Sequence, residues 1–104
     1  MKWLEPWTSA ENFDQQVADG LCHQLQEEVP PGHVLFGVPV RMLAQGNGDD
    51  VLFQLEDGTR RVARVHLTWS KSQEVLPWPR TELFPSLDAW AERVMVPEHD
   101  EWAT

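Results

Sequence analysis

Four histidines and seventeen carboxylates are the raw material for a metal centre or an acid–base pair, so their spacing comes first. His23, His33, His66 and His99 fall in four different segments, no His-Glu-x-x-His occurs, and a single cysteine forbids a paired-Cys zinc site. Cys22 and His23 are neighbours in a helical stretch and so point about 100° apart, which does not suit a shared ion. We expect no metal and no cofactor. His66 lies mid-strand on the same strand face as Arg64 and Thr68. It would serve as a general base if a cleft covered it, and as a hydrogen-bonded structural histidine otherwise. Nucleophilic chemistry needs an activated Ser, Thr or Cys, and no Gly-x-Ser-x-Gly elbow is present. Cys22 falls on the apolar side of its helix, the place of a buried inert thiol. Gly46-Asn47-Gly48-Asp49-Asp50 lacks the Lys-Ser/Thr of a phosphate loop and the terminal Glu of a calcium loop, so it reads as a hairpin turn. No catalytic residue is assigned.

Recognition is the other chemistry to weigh. Arg41, Arg60, Arg61 and Arg64 beside Trp69 would form a basic, aromatic platform for single-stranded nucleic acid. The net charge of −9 opposes it, with −5 over residues 1–40, +1 over 41–71 and −5 over 72–104. Such ends repel phosphate backbones and anionic membranes and attract a basic protein. Pro77-Trp78-Pro79-Arg80 reads either as a polyproline-type ligand or as a plug whose Trp78 fills its own core.

These residues need elements to hold them. A helix is expected from Thr8 or Ser9, with Phe13, Val17, Leu21 and Leu25 recurring every four residues, until Val29-Pro30-Pro31-Gly32 stops it. Three strands follow, near Val38–Gln45, Val51–Glu56 and Arg60–Trp69. They are joined at Gly46–Asp49 and Asp57-Gly58, whose residues tolerate the positive φ of tight hairpins. Ala63, Val65, Leu67 and Trp69 should line a core face and Val62, Arg64, His66 and Thr68 an amphipathic one. Pro77, Pro79 and Pro85 are expected to exclude a regular element from residues 70–85, a strap lying over the core. Ser86 then caps a helix carrying Leu87, Trp90, Ala91, Val94 and Met95, which Pro97 stops. The fold expected is α+β, in the order α-β-β-β-α: a three-stranded antiparallel meander with both helices on one face. It is one domain, residues 1–104, with an N-terminal arm (1–8), the proline and tryptophan strap (70–85) and an acidic tail (98–104) that Trp102 pins. One cysteine, no signal-peptide pattern and no apolar span point to a cytoplasmic protein.

Val65-His66-Leu67-Thr68-Trp69-Ser70, followed by Pro77-Trp78-Pro79-x-Thr81-Glu82, Trp90 and Pro97-Glu98-His99, resembles a group of short bacterial conserved hypothetical proteins. These pair a His-Leu-Thr-Trp-Ser strand with a downstream Pro-x-Thr and a helix. The resemblance covers roughly residues 62–102 and implies no activity, cofactor or ligand. It groups His66, Thr68, Trp69, Trp78 and His99, and with Arg80 these are the candidate residues for binding a partner or ligand. The favoured expectation is a non-catalytic acidic protein that binds another protein as adaptor, inhibitor or toxin-neutralising partner. The alternative is a ligand pocket or small enzyme site around His66 under the strap.

Overall fold

The computed structural model describes all 104 residues. Its centre is an antiparallel sheet of five strands that lie side by side in chain order: β1 Thr8–Ser9, β2 Val40–Gln45, β3 Asp50–Leu55, β4 Val62–His66 and β5 Arg80–Phe84. The class is α+β, and the meander has two strands more than expected. The central three arise from alternating apolar residues and from turns in which Gly48 and Gly58 take φ of +65° and +83°.

β5 forms despite its prolines because Pro79 and Pro85 flank the strand, where a missing N–H costs the ladder nothing. β1 forms where a helix start was expected. Thr8 and Ser9 pair with Gln45 and Ala44, and Ser9 Oγ accepts from Glu11 N–H to cap one 3-10 turn, Ala10–Asn12. The first helix, α1, then runs from Gln15 to Glu28.

Both sheet faces are cores, not one. Leu21 and Leu25 of α1 pack with Met42, Val51, Phe53, Leu55, Ala63 and Val65 on the first face. Trp7, Ala44, Leu52, Val62, Phe84, Trp90, Val94 and Met95 form the second. The two helices therefore cover opposite faces rather than sharing one. A bulge at Leu43 makes this possible in β2. Met42 pairs with Phe53 but Ala44 with Leu52, so two residues that would share a face in a regular strand serve different cores.

The C-terminal helical segment comprises α2 (Leu87–Trp90), a π turn (Ala91–Met95) and α3 (Val96–Trp102). Ser86 Oγ accepts from Ala89 N–H and caps its start. Pro97 does not end it. The proline has no N–H for the carbonyl four residues back, and the turn before it widens so that Val96 N–H reaches Ala91 O. The expected acidic tail is thus mostly helix, and Trp102, 53% exposed, pins nothing. The N-terminal arm packs instead. Trp7 Nε1 donates to Glu98 Oε1 at 2.7 Å and its ring stands edge-to-face with Trp90, centroids 4.9 Å apart. No helix is long and apolar enough to cross a membrane.

Candidate functional site

Glu28 occupies the last turn of α1, seven residues after Leu21 and three after Leu25, and so shares their buried face. It is fully buried, forms no salt bridge with any cation, and stands at the negative end of its helix. Four donors compensate. Oε1 accepts from Thr68 N–H at 2.8 Å and Thr68 Oγ1 at 2.9 Å. Oε2 accepts from Trp69 N–H at 2.9 Å and Gln24 Nε2 at 2.6 Å.

This carboxylate ends β4 at His66, three residues earlier than the apolar alternation implied. The chain turns at Thr68-Trp69, and Trp69 takes φ of +61°, a conformation an L residue with a bulky side chain rarely adopts. The indole consequently leaves the core face and stands 47% exposed, its Nε1 donating to Asp49 Oδ1 at 2.8 Å.

The strap is anchored to the same helix end. Glu74 N–H donates to Glu28 O at 2.8 Å, and Gln24 Nε2 also donates to Ser70 O at 2.8 Å. At its far end His33 accepts from Leu35 N–H through Nδ1 at 3.0 Å, which leaves Nε2–H to donate to Pro79 O at 2.9 Å. Held at both ends, the strap does not lie over the core as expected: Val75, Leu76 and Trp78 are exposed, and Trp78 plugs no core of its own. Arg80 stacks over Trp78, its guanidinium 5.4 Å from the ring centroid.

His66 sits between these aromatics. Its Nδ1 is 3.0 Å from Asp50 Oδ1 and its Nε2 is 3.9 Å from Asp49 Oδ2. Asp50, Arg64, His66, Pro77, Trp78, Arg80, Thr81 and Glu82 line a hollow of about 660 Å³. Burial pulls the Arg64 guanidinium down, but bonding to Glu82 and the charges of Glu82, Glu98 and Asp50 outweigh it and hold its pKa above the usual arginine value. An imidazole oriented by a carboxylate is an acid–base element, yet the one hydroxyl lining this hollow, Thr81 Oγ1, donates to Pro79 O at 3.0 Å and makes no hydrogen bond to His66. No group of three or more His, Cys, Asp or Glu side chains is placed to hold a metal ion.

Comparison with family models, curated proteins and solved structures gives no match.

Of the six residues singled out in the sequence, His66, Trp78 and Arg80 line this hollow, and Trp69 joins them through the adjacent aspartates Asp49 and Asp50. Thr68 is part-buried and acts by bonding Glu28. His99 is elsewhere: on α3, its Nδ1 lies 2.7 Å from Glu5 O and ties down the N-terminal arm. Glu28, Asp49 and Asp50 were not singled out. The signal for Glu28 was a carboxylate in register with an apolar stripe, which asks for buried donors. Asp49 closes the hairpin turn and Asp50 opens β3, positions whose local sequence reads as a turn and nothing else.

Proposed function

We propose that this chain is a non-catalytic protein-binding domain whose contact surface is the strap and the turn before it, centred on Trp69 and Trp78. The observation that carries this is the support beneath Trp69. A fully buried carboxylate and a left-handed backbone conformation hold a large aromatic half out of the protein. Burying a carboxylate with no cation beside it and bending a tryptophan backbone this way both cost free energy, and they persist where surrounding donors and packing over-determine them. Trp and Arg are the residues that dominate interface energetics, and Trp69, Trp78 and Arg80 stand together here. Asp49, bonded to Trp69, and Asp50 and Glu82, which line the hollow with Trp78 and Arg80, flank them, and the net charge of −9 steers basic partners.

The test is affinity capture from the native host, with Trp69→Ser and Trp78→Ser baits beside the unaltered protein and a Trp102→Ser bait as control. A stoichiometric partner retained by the control and lost by the first two supports the reading. A partner held equally by all four, or none at all, refutes it.

The Asp50–His66 pair favours one second reading, a small-ligand site in the hollow beside Trp78. Under that reading a fragment library shifts the His66 ring resonances, and a His66→Ala variant abolishes the hits.

A further inference from the structure

β5 ends the sheet, and no strand covers its outer side. The register identifies its free backbone groups. Leu55 N–H donates to Arg61 O and Leu67 N–H to Asp49 O, each at 3.1 Å, so the odd-numbered residues of β3 and β4 bond to one another. Hydrogen bonding alternates along an antiparallel strand. Val62, Arg64 and His66 therefore turn their amides toward Phe84, Glu82 and Arg80 of β5. Thr81 and Leu83 are left aiming N–H and C=O outward, and no turn, loop or cap hydrogen bond reaches these four groups. Pro79 and Pro85 bracket them without donors, and Pro79 O is already taken by His33. The opposite edge of the sheet shows that so short a window suffices, because β2 is covered there by a strand of two residues, Thr8–Ser9.

We propose that this window accepts, in antiparallel alignment, a short extended segment of a partner protein, with a basic residue opposite Glu82 and an apolar residue on either side. The inference rests on the protein-binding reading above and names a second contact for the same partner class. Glu82 projects on the face of the second core, beside a hollow where Glu82, Glu98 and Glu101 outnumber Arg64 and Arg93. A Lys or Arg opposite Glu82 would complete that balance. Leu83, 37% exposed, projects from the other face and supplies apolar surface to the residues flanking the basic one.

A second copy of this chain fits poorly. Pairing Thr81 with Leu83 of the second copy sets Glu82 directly against Glu82 at the closest cross-strand spacing, about 4.5 Å between Cα atoms. Pairing Thr81 with itself sets Leu83 against Pro79, which has no N–H and no free carbonyl.

The probe is a capped peptide, Ser-Thr-Val-Lys-Val-Thr-Ser, titrated into the 15N-labelled full chain beside a counterpart with Glu for Lys. The Lys peptide should shift the Thr81 and Leu83 amides and slow their hydrogen exchange. The Glu peptide should bind about tenfold weaker or worse, and Glu82→Lys should reverse the order. N-methylating both valines removes the peptide's inward donors without touching the protein, and should abolish the effect. Leu83→Pro should abolish it too while keeping the β4 ladder, since Leu83 N–H faces outward. A peptide that shifts the Trp69 and Trp78 indole signals but neither edge amide overturns the edge inference and leaves the strap reading standing. Silence at both amides also overturns it. Edge binding that survives beside Trp69→Ser and Trp78→Ser baits that keep their partner locates the failure in the strap reading instead.

Discussion

Replacing Glu28 by Gln keeps the side chain's shape and changes only what its two ends can accept. With the amide oxygen toward Thr68, those two bonds survive at 2.8 and 2.9 Å, but the NH2 now faces Trp69 N–H and the Gln24 amide, donor against donor. Gln24 is only half-buried and can swing to water. The Trp69 N–H beneath it cannot follow. Flipping the amide does not help, because the NH2 would then meet Thr68 N–H, a donor that cannot turn away, even though the Thr68 hydroxyl can rotate to accept. An orphaned buried donor costs about 1–3 kcal/mol, and weakening the charge-assisted bonds adds to it, so Glu28→Gln should lose about 3 kcal/mol. For a domain near this size that is a fall in Tm of roughly 12–24 °C. Urea and thermal unfolding followed by far-UV circular dichroism measure it, and 15N spectra report the Trp69 amide and indole. A loss below about 0.5 kcal/mol, or a larger loss with the Trp69 signals unmoved, would refute the account of how the turn is held. Trp69→Gly is the companion. It relieves a left-handed conformation that costs a non-glycine residue about 1–2 kcal/mol, so it should leave stability level or slightly higher while removing the exposed indole.

Four further outcomes follow from other parts of the structure. A Cβ built on Gly46 would lie 2.7–2.8 Å from the ring of buried Trp7, so Gly46→Ala should cost about 1–3 kcal/mol. Gly20, in the interior of α1 with open space around it, should gain about 1 kcal/mol as Ala; chemical denaturation of both variants checks the pair. Hydrogen bonds from Thr59 and Arg61 lower the Asp57 carboxyl from 3.8 to about 2. Its folded pKa is below its unfolded one, so its support for the β3–β4 hairpin is complete above pH 3.8 and disappears as pH falls through about 2, which a carboxyl NMR titration will follow. Burial raises the Cys22 thiol pKa, against a smaller lowering by a backbone hydrogen bond, so iodoacetamide at neutral pH should alkylate it markedly more slowly in the folded than in the urea-unfolded chain.

What the sequence by itself determined is what depends on neighbours along the chain. The four-residue recurrence specifies the buried stripe of α1 at Leu21 and Leu25, although Phe13 falls before the helix and Val17 is exposed, and Gly48 and Gly58 specify the two hairpins that set β2, β3 and β4 in register. Ser86 marks the start of the last helix for the same reason: a cap is a contact over three residues. The rest was decided by partners far away in sequence. Arg80–Phe84 is a strand because β4 offers it hydrogen bonds, and prolines at its ends do not interrupt a ladder they stand outside. The extra residue at Leu43 re-aims β2, so the division of apolar side chains between two cores appears only once β2 and β3 are paired. The exposure of Trp69 is the clearest case. Alternation along β4 sends it to the core with Ala63, Val65 and Leu67, and only a carboxylate forty-one residues earlier, bonding its amide, turns it toward solvent. Periodicity reports which face a residue would take if the strand continued; a buried acceptor supplied by another element decides where the strand stops.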